Sequence, residues 1–168
     1  MSTEISRSAT VIGPRDGAAL DLDGLGVRFL IAGEQAGGRF SLVEHPLAPR
    51  TLGAPLHTHA HEDEYSFVLE GRVGLLIADE EIDAGPGDLV LKPRGVPHAF
   101  WNATDEPARL LEIISPAGFE RFFDELARGM REGADDRAIG ALMARYGIEM
   151  DFDSGPVLAA RHGLRNEF

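Results

Sequence analysis

The chain has 168 residues, 16 Lys and Arg against 28 Asp and Glu, a formal net charge of −12 and no cysteine. That length suits one domain with a small appendage and a real hydrophobic core, and 43% apolar residues is the share of an ordinary globular protein. The acidic balance argues against nucleic acid and anionic membrane surfaces as partners, since both are bound through Lys and Arg. Without cysteine there are no disulfides, thiolate zinc sites, iron–sulfur clusters or cysteine nucleophiles, so any metal must be held by nitrogen and oxygen. The opening MSTEISRSATVIG lacks the apolar stretch of a secretion signal, and no run is long and apolar enough to span a bilayer. A cytoplasmic location is expected.

Up to about residue 115, short apolar runs alternate with Gly and Pro turns, the rhythm of an all-β sandwich or barrel. Strands are predicted over 27–32, 39–45, 65–70, 73–77, 88–91, 98–102 and 109–114. The turns between them are explicit: Gly37-Gly38, Glu70-Gly71, Gly85-Pro86-Gly87 and Pro93-Arg94-Gly95. After residue 115 the period becomes helical. Phe119, Phe122, Phe123, Leu126 and Met130 form one stripe, with Ser115 as the expected N-cap and Pro116 opening the helix. This stripe is read as core. A second helix carries Ile139, Leu142, Met143 and Tyr146 and stops at Gly147, and a short third one is expected from Pro156. The organisation is therefore N-terminal strands over 1–36, a β core over 37–115 and a helical segment over 116–168, with the helices packed outside.

Strand parity adds a test. If Glu64 points inward, so do Ser66 and Val68, while Tyr65, Phe67 and Leu69 point outward. Three large apolar groups on an outer face need a cover, which the helices or a second copy in a homodimer would provide. By the same parity Phe100 faces in, and Ala99 and Trp101 face out.

Four of the six histidines lie between residues 57 and 98. His57 and His59 are two apart, so on an extended segment both project to one face. Glu64 follows after a short loop, and His98 begins another strand. Imidazole nitrogens with one carboxylate suit one divalent transition metal ion (Fe, Mn, Co, Ni, Cu or Zn) with open positions left for water or substrate. A histidine-rich surface loop is the competing explanation for His57, His59 and His61 taken alone. His61 is assigned to the rim or to solvent, Glu62 and Asp63 to a solvated acidic turn, and His45 and His162 to surface or structural roles. Gly24-Leu25-Gly26 lacks the strand–helix context of a nucleotide loop.

Two spaced patterns carry a resemblance. His-x-His-x4-Glu-x6-Gly is met by His57, His59, Glu64 and Gly71, and Gly-x5-Pro-x-Gly-x2-His-x3-Asn by Gly87, Pro93, Gly95, His98 and Asn102. These resemble the first and second motifs of the cupin superfamily. The segment 115–126, SPAGFERFFDEL, is similar to the tail of small single-domain bacterial cupins, including quercetin-dioxygenase-like ones. One departure is visible: Thr51 stands where the family's leading glycine would be, a turn position that supplies no ligand. The resemblance implies a double-stranded β-helix (jelly-roll) barrel with His57, His59, Glu64 and His98 as metal ligands. Asn102 is expected to tie a turn, and Ser66, Val68 and Phe100 are expected to line a pocket for a small organic substrate.

Three functions are open on this barrel. The first is a dioxygenase-type oxidoreductase acting on a flavonol-like or enol substrate, with Glu64 partly leaving the metal to accept the substrate proton. The second is a metal-dependent isomerase, cyclase or decarboxylase on a small hydroxylated or keto substrate. The third is a non-catalytic small-molecule-binding module. No helix-turn-helix segment accompanies the barrel.

Overall fold

The computed structural model describes residues 9–165. The first eight residues, part of the segment read as lacking a secretion signal, lie outside the described range. The chain runs β1 (Ala19–Leu22), β2 (Leu25–Ile31), β3 (Ser41–Leu47), β4 (Thr51–His59), β5 (Asp63–Glu70), β6 (Val73–Ile77), β7 (Glu80–Ala84), β8 (Leu89–Lys92), β9 (His98–Asn102) and β10 (Ala108–Ser115). It continues with α1 (Glu120–Arg131), α2 (Asp136–Arg145), β11 (Ile148–Asp151) and α3 (Ser154–His162). The strands form two sheets, one of six strands in the order β1-β2-β3-β10-β5-β8 and one of five in the order β11-β4-β9-β6-β7. All pairings between these strands are antiparallel. This is the jelly-roll arrangement expected of the barrel, with three helices after it.

The seven predicted strands are all present. β1, β4, β7 and β11 had no prediction of their own. β4 reads TLGAPLHTH, with a glycine, a proline and little β-branching, and so carries a weak propensity signal. Register shifts between Leu52 and Ala54 and between Ala54 and His57 let it hold Pro55 although it has neighbours on both sides.

Parity holds. On β5, Glu64, Ser66 and Val68 are buried while Phe67 is exposed; on β9, Phe100 joins the barrel core with Leu75 and Leu110. Ala99 and Trp101 point out of the barrel and are covered by Leu158 of α3. At the β5–β6 turn Gly71 has φ of 72°, and a Cβ there would lie 2.6 Å from the carbonyl oxygen of Pro107, so the motif glycine is sterically required.

Helix α1 starts later than the sequence suggests. Ser115 pairs with Asp63 as the last residue of β10, and its Oγ donates to the carbonyl of Arg39 at 2.9 Å, so it does not cap a helix. The carboxylate of buried Glu120 takes the N–H groups of Gly118 (2.6 Å) and Gly33 (2.9 Å), tying the helix start to the loop after β2. The third helix begins at Ser154, two residues before Pro156. The outer face of the six-stranded sheet is left uncovered by the helices. Ile113, Tyr65 and Leu91 form one cross-strand row there, and Leu111, Phe67 and Leu89 the next. No helix among the described residues is long and apolar enough to cross a membrane.

Gly74 pairs with Trp101 across β6 and β9, and a Cβ at Gly74 would sit 2.1 Å from the indole Nε1. Gly74→Ala should therefore displace Trp101 from under α3 and lower unfolding stability by about 1–3 kcal/mol, read from urea denaturation.

Candidate metal centre

His57 and His59 leave the same face of β4, Glu64 opens β5, and His98 opens β9. One donor atom from each of these four buried residues lies within 4.8 Å of the other three. Two local contacts bring the motifs together. The N–H of Gly95 donates to the carbonyl of His59 at 2.8 Å. Asp63 accepts from the backbone N–H of Arg94 (2.9 Å) and from its guanidinium (2.7 and 3.1 Å), which drops the Asp63 pKa to about 2. Asp63 is thus a clasp between the two motif loops, not a freely solvated acid. Asn102 ties the turn after β9 as expected, donating to Glu106 and Ala48 and accepting from Thr104.

The imidazoles are oriented from behind. Nδ1 of His57 is 2.8 Å from the carbonyl of Pro55, and Nδ1 of His98 is 3.0 Å from that of Val96, a donor role that leaves each Nε2 with a free lone pair. The Nε2 atoms of His59 and His98 are buried without a hydrogen-bond partner and lie 3.5 and 3.3 Å from the two Glu64 oxygens. Orphaned, converging, buried lone pairs are what a metal-binding cluster requires. The residues therefore fit a single metal ion, and nitrogen–oxygen donors of this kind suit a divalent transition metal. Behind His59, its Nδ1 faces Oε2 of Glu62 at 3.9 Å, and neither atom has another partner. Glu62, expected in a solvated turn, is buried against the site. His61 is exposed, as expected.

Sequence reasoning missed a second set of charges. Lys92, on β8 opposite Glu64, is fully buried, with Nζ 2.9 Å from Glu64 and 2.9 Å from Glu112 of β10. Ser66 Oγ donates to Glu112 at 2.9 Å. The inward parity of residues 90, 92, 110 and 112 was the one signal available. Burial pushes Glu64 up, but Lys92 and the imidazoles outweigh it and hold the carboxyl well below its usual range. Glu112 has the same lysine but is pushed up by burial, to about 7, with the Glu64 charge adding to the rise.

The site opens onto a cavity of about 370 Å³. Its polar wall includes His57, His59, Glu64, Lys92 and Glu112, together with His45, Thr51, Asp23, Asp136 and Arg165. The rest is largely apolar, from Phe100 and from the C-terminal segment: Phe119, Phe122, Phe123, Met143, Ile148 and Met150. The helical aromatic stripe is core, as expected, and also cavity wall, because the Phe119 ring stands edge-on to His59 at 4.4 Å between centroids. Of the three expected pocket residues, Phe100 lines the cavity. Ser66 and Val68 point into the barrel but not onto that wall; the first is held under Glu112 and the second lies in the core cluster.

Two outcomes follow. Removing the carboxylate in Glu62→Ala should weaken metal binding by about 10–100-fold in a chelator competition, with the fold retained. In metal-free protein, burial lowers His45 and His59 to about 4 and lowers His57 further below its usual value. The unfolded chain then holds more protons between pH 6.5 and 4, so stability is complete above 6.5 and falls as pH drops to 4. His45 alone accounts for about 3 kcal/mol of that loss. Glu112 works the other way between 7 and 4.5, but it is one group against three. Denaturant midpoints measured across this range should decline towards acid.

The family described as Cupin domain matches residues 44–114. No curated protein matches the chain. Among solved structures, KdgF from a Halomonas species is 14% identical, with 68% of this chain and 99% of that one covered and a TM-score of 0.60. A predicted oxalate decarboxylase from Thermotoga maritima is 16% identical, with 64% and 99% covered and a TM-score of 0.60; these two likenesses show the fold. The polyketide cyclase RemF from Streptomyces resistomycificus is 29% identical, with 64% of this chain and 80% of that one covered and a TM-score of 0.57. With both motifs on their expected strands and the two sheets facing each other, this chain has the cupin-type jelly-roll fold, and its residues 44–114 match the cupin domain family.

Proposed function

We propose that the protein is a metal-dependent enzyme that moves a proton on a small, largely apolar substrate bearing a carbonyl or enol oxygen, as an isomerase, cyclase or decarboxylase does. The observation that carries this is that His57, His59 and Glu64 of the donor cluster and the Lys92–Glu112 pair line one largely apolar cavity, with His98 completing the cluster beside them. In this reading those four residues hold one divalent transition metal ion. When bound, the ion polarises the substrate oxygen and stabilises negative charge developing on it.

The chain's own residues do the rest. Lys92 keeps Glu64 charged, so Glu64 serves as ligand and is a poor proton acceptor. The proton-accepting role expected of Glu64 passes to Glu112, whose carboxyl is poised near neutrality on the cavity wall. Ser66 and Lys92 both donate to Oε2 of Glu112, and the phenylalanines exclude water from the proton's path. The likeness to a polyketide cyclase at 29% identity supports the cyclase form of this reading. The dioxygenase reading shares the same donor set and is told apart by oxygen consumption. The two exposed apolar rows on the outer sheet face support a homodimer.

The test uses protein loaded separately with iron, manganese, nickel and zinc. In D₂O, enolisable aryl ketones should exchange the hydrogen α to the carbonyl, followed by NMR. Glu112→Gln should slow that exchange by about 10²–10⁴-fold with metal retained, whereas His57→Ala and His98→Ala should lose the metal by elemental analysis. Full metal occupancy in both histidine variants would remove the assigned ligands. Oxygen uptake with an enol or flavonol substrate would return the dioxygenase reading.

A further inference from the structure

His45 lies outside both motifs, on β3, in the same cross-strand row as Leu110 and Val68. It is only 2% exposed, and its ring packs against Phe123 (5.3 Å between centroids) and Phe100 (6.2 Å). An apolar side chain would fill this place without the cost of burying two ring nitrogens. One nitrogen is explained locally. The next residue, Pro46, has no N–H to offer the ladder, and Nδ1 of His45 takes the carbonyl of Gly26 at 2.9 Å instead. Nδ1 is thereby the protonated nitrogen and Nε2 carries the lone pair. Among the described residues Nε2 has no hydrogen-bond partner, yet it is absent from the fully enclosed unpaired atoms, and His45 is part of the cavity wall. The lone pair therefore opens into the cavity. Burial holds the ring neutral, lowering it to about 4, so the acceptor persists at physiological pH.

We infer that His45 is a recognition residue: its Nε2 accepts a hydrogen bond from a hydroxyl group of the substrate, selecting flat apolar molecules that carry a hydroxyl in addition to the oxygen presented to the metal donors. Lys92 lies 5.2 Å from the centroid of the same Phe100 ring that His45 approaches, so the ring marks the stretch of wall between the charged end and this acceptor. The inference rests on the reading of the cavity as a substrate site.

A matched pair of probes tests it, 2,6-dihydroxynaphthalene and 2-naphthol, titrated calorimetrically into zinc-loaded protein. The diol should bind about five- to tenfold more tightly than the mono-ol. In His45→Phe that preference should vanish while zinc content is retained. Independently of any variant, the ¹⁵N spectrum of histidine-labelled wild-type protein should show one unprotonated Nε2 resonance that moves upfield with the diol and stays in place with 2-naphthol. A wild-type protein that binds both equally, a preference that survives His45→Phe, or an unmoved resonance would make His45 a structural link between β2 and β3 only. Binding of neither compound would instead overturn the reading of the cavity on which the inference depends.

Discussion

Carboxylates cannot be held inside an apolar barrel without a partner, and Lys92 is that partner here. Its ammonium, fully out of solvent, sits 2.9 Å from both Glu64 and Glu112. Burial of this kind is costly for each ion separately and becomes tolerable only when the charges satisfy one another. Because one lysine serves two carboxylates, the two differ: Glu64 also meets imidazoles and stays charged, whereas Glu112 is driven up by burial and by its charged neighbour. The two roles proposed for these carboxyls, ligand and proton carrier, come from this inequality.

The division of labour follows the sheets. Glu64, Ser66, Lys92 and Glu112 all lie on the six-stranded sheet, whereas His57, His59 and His98 lie on the five-stranded sheet. The cluster therefore exists only where the two sheets face each other, and its geometry depends on the clasps between motif loops, Asp63 with Arg94 and Gly95 with His59. A second layer comes from outside the matched residues 44–114. β11 adds to the edge of β4 with Met150 opposite His57 and Ile148 opposite His59, and α1 brings Phe119 against His59. The matched residues 44–114 supply the donor atoms, and the C-terminal segment shapes the apolar space in front of them.

Much of the site was legible in the chain. The spacing of His57, His59, Glu64 and His98 within two patterned motifs names the cluster, since each spacing encodes a strand parity and a turn. Glu62 was misjudged because an acidic residue in a His-Glu-Asp-Glu run reads as solvated surface, and only the packing behind His59 shows that it is buried. Lys92 had only strand parity to mark it, and a lysine at the end of a short strand ordinarily reaches solvent. β4 was obscured by Gly53 and Pro55, which the bulged pairing with β9 accommodates.

What the sequence by itself determined was the type of barrel, the four converging donors and the absence of any thiolate ligand, because these depend on local spacing and residue chemistry. What only the tertiary structure decided was which charges share the interior, which of Ser66, Val68 and Phe100 reaches the cavity, and that a helical aromatic stripe doubles as its wall. Those depend on contacts between residues far apart in the chain, such as Glu112 with Ser66 or Phe119 with His59, and no local pattern encodes such distances.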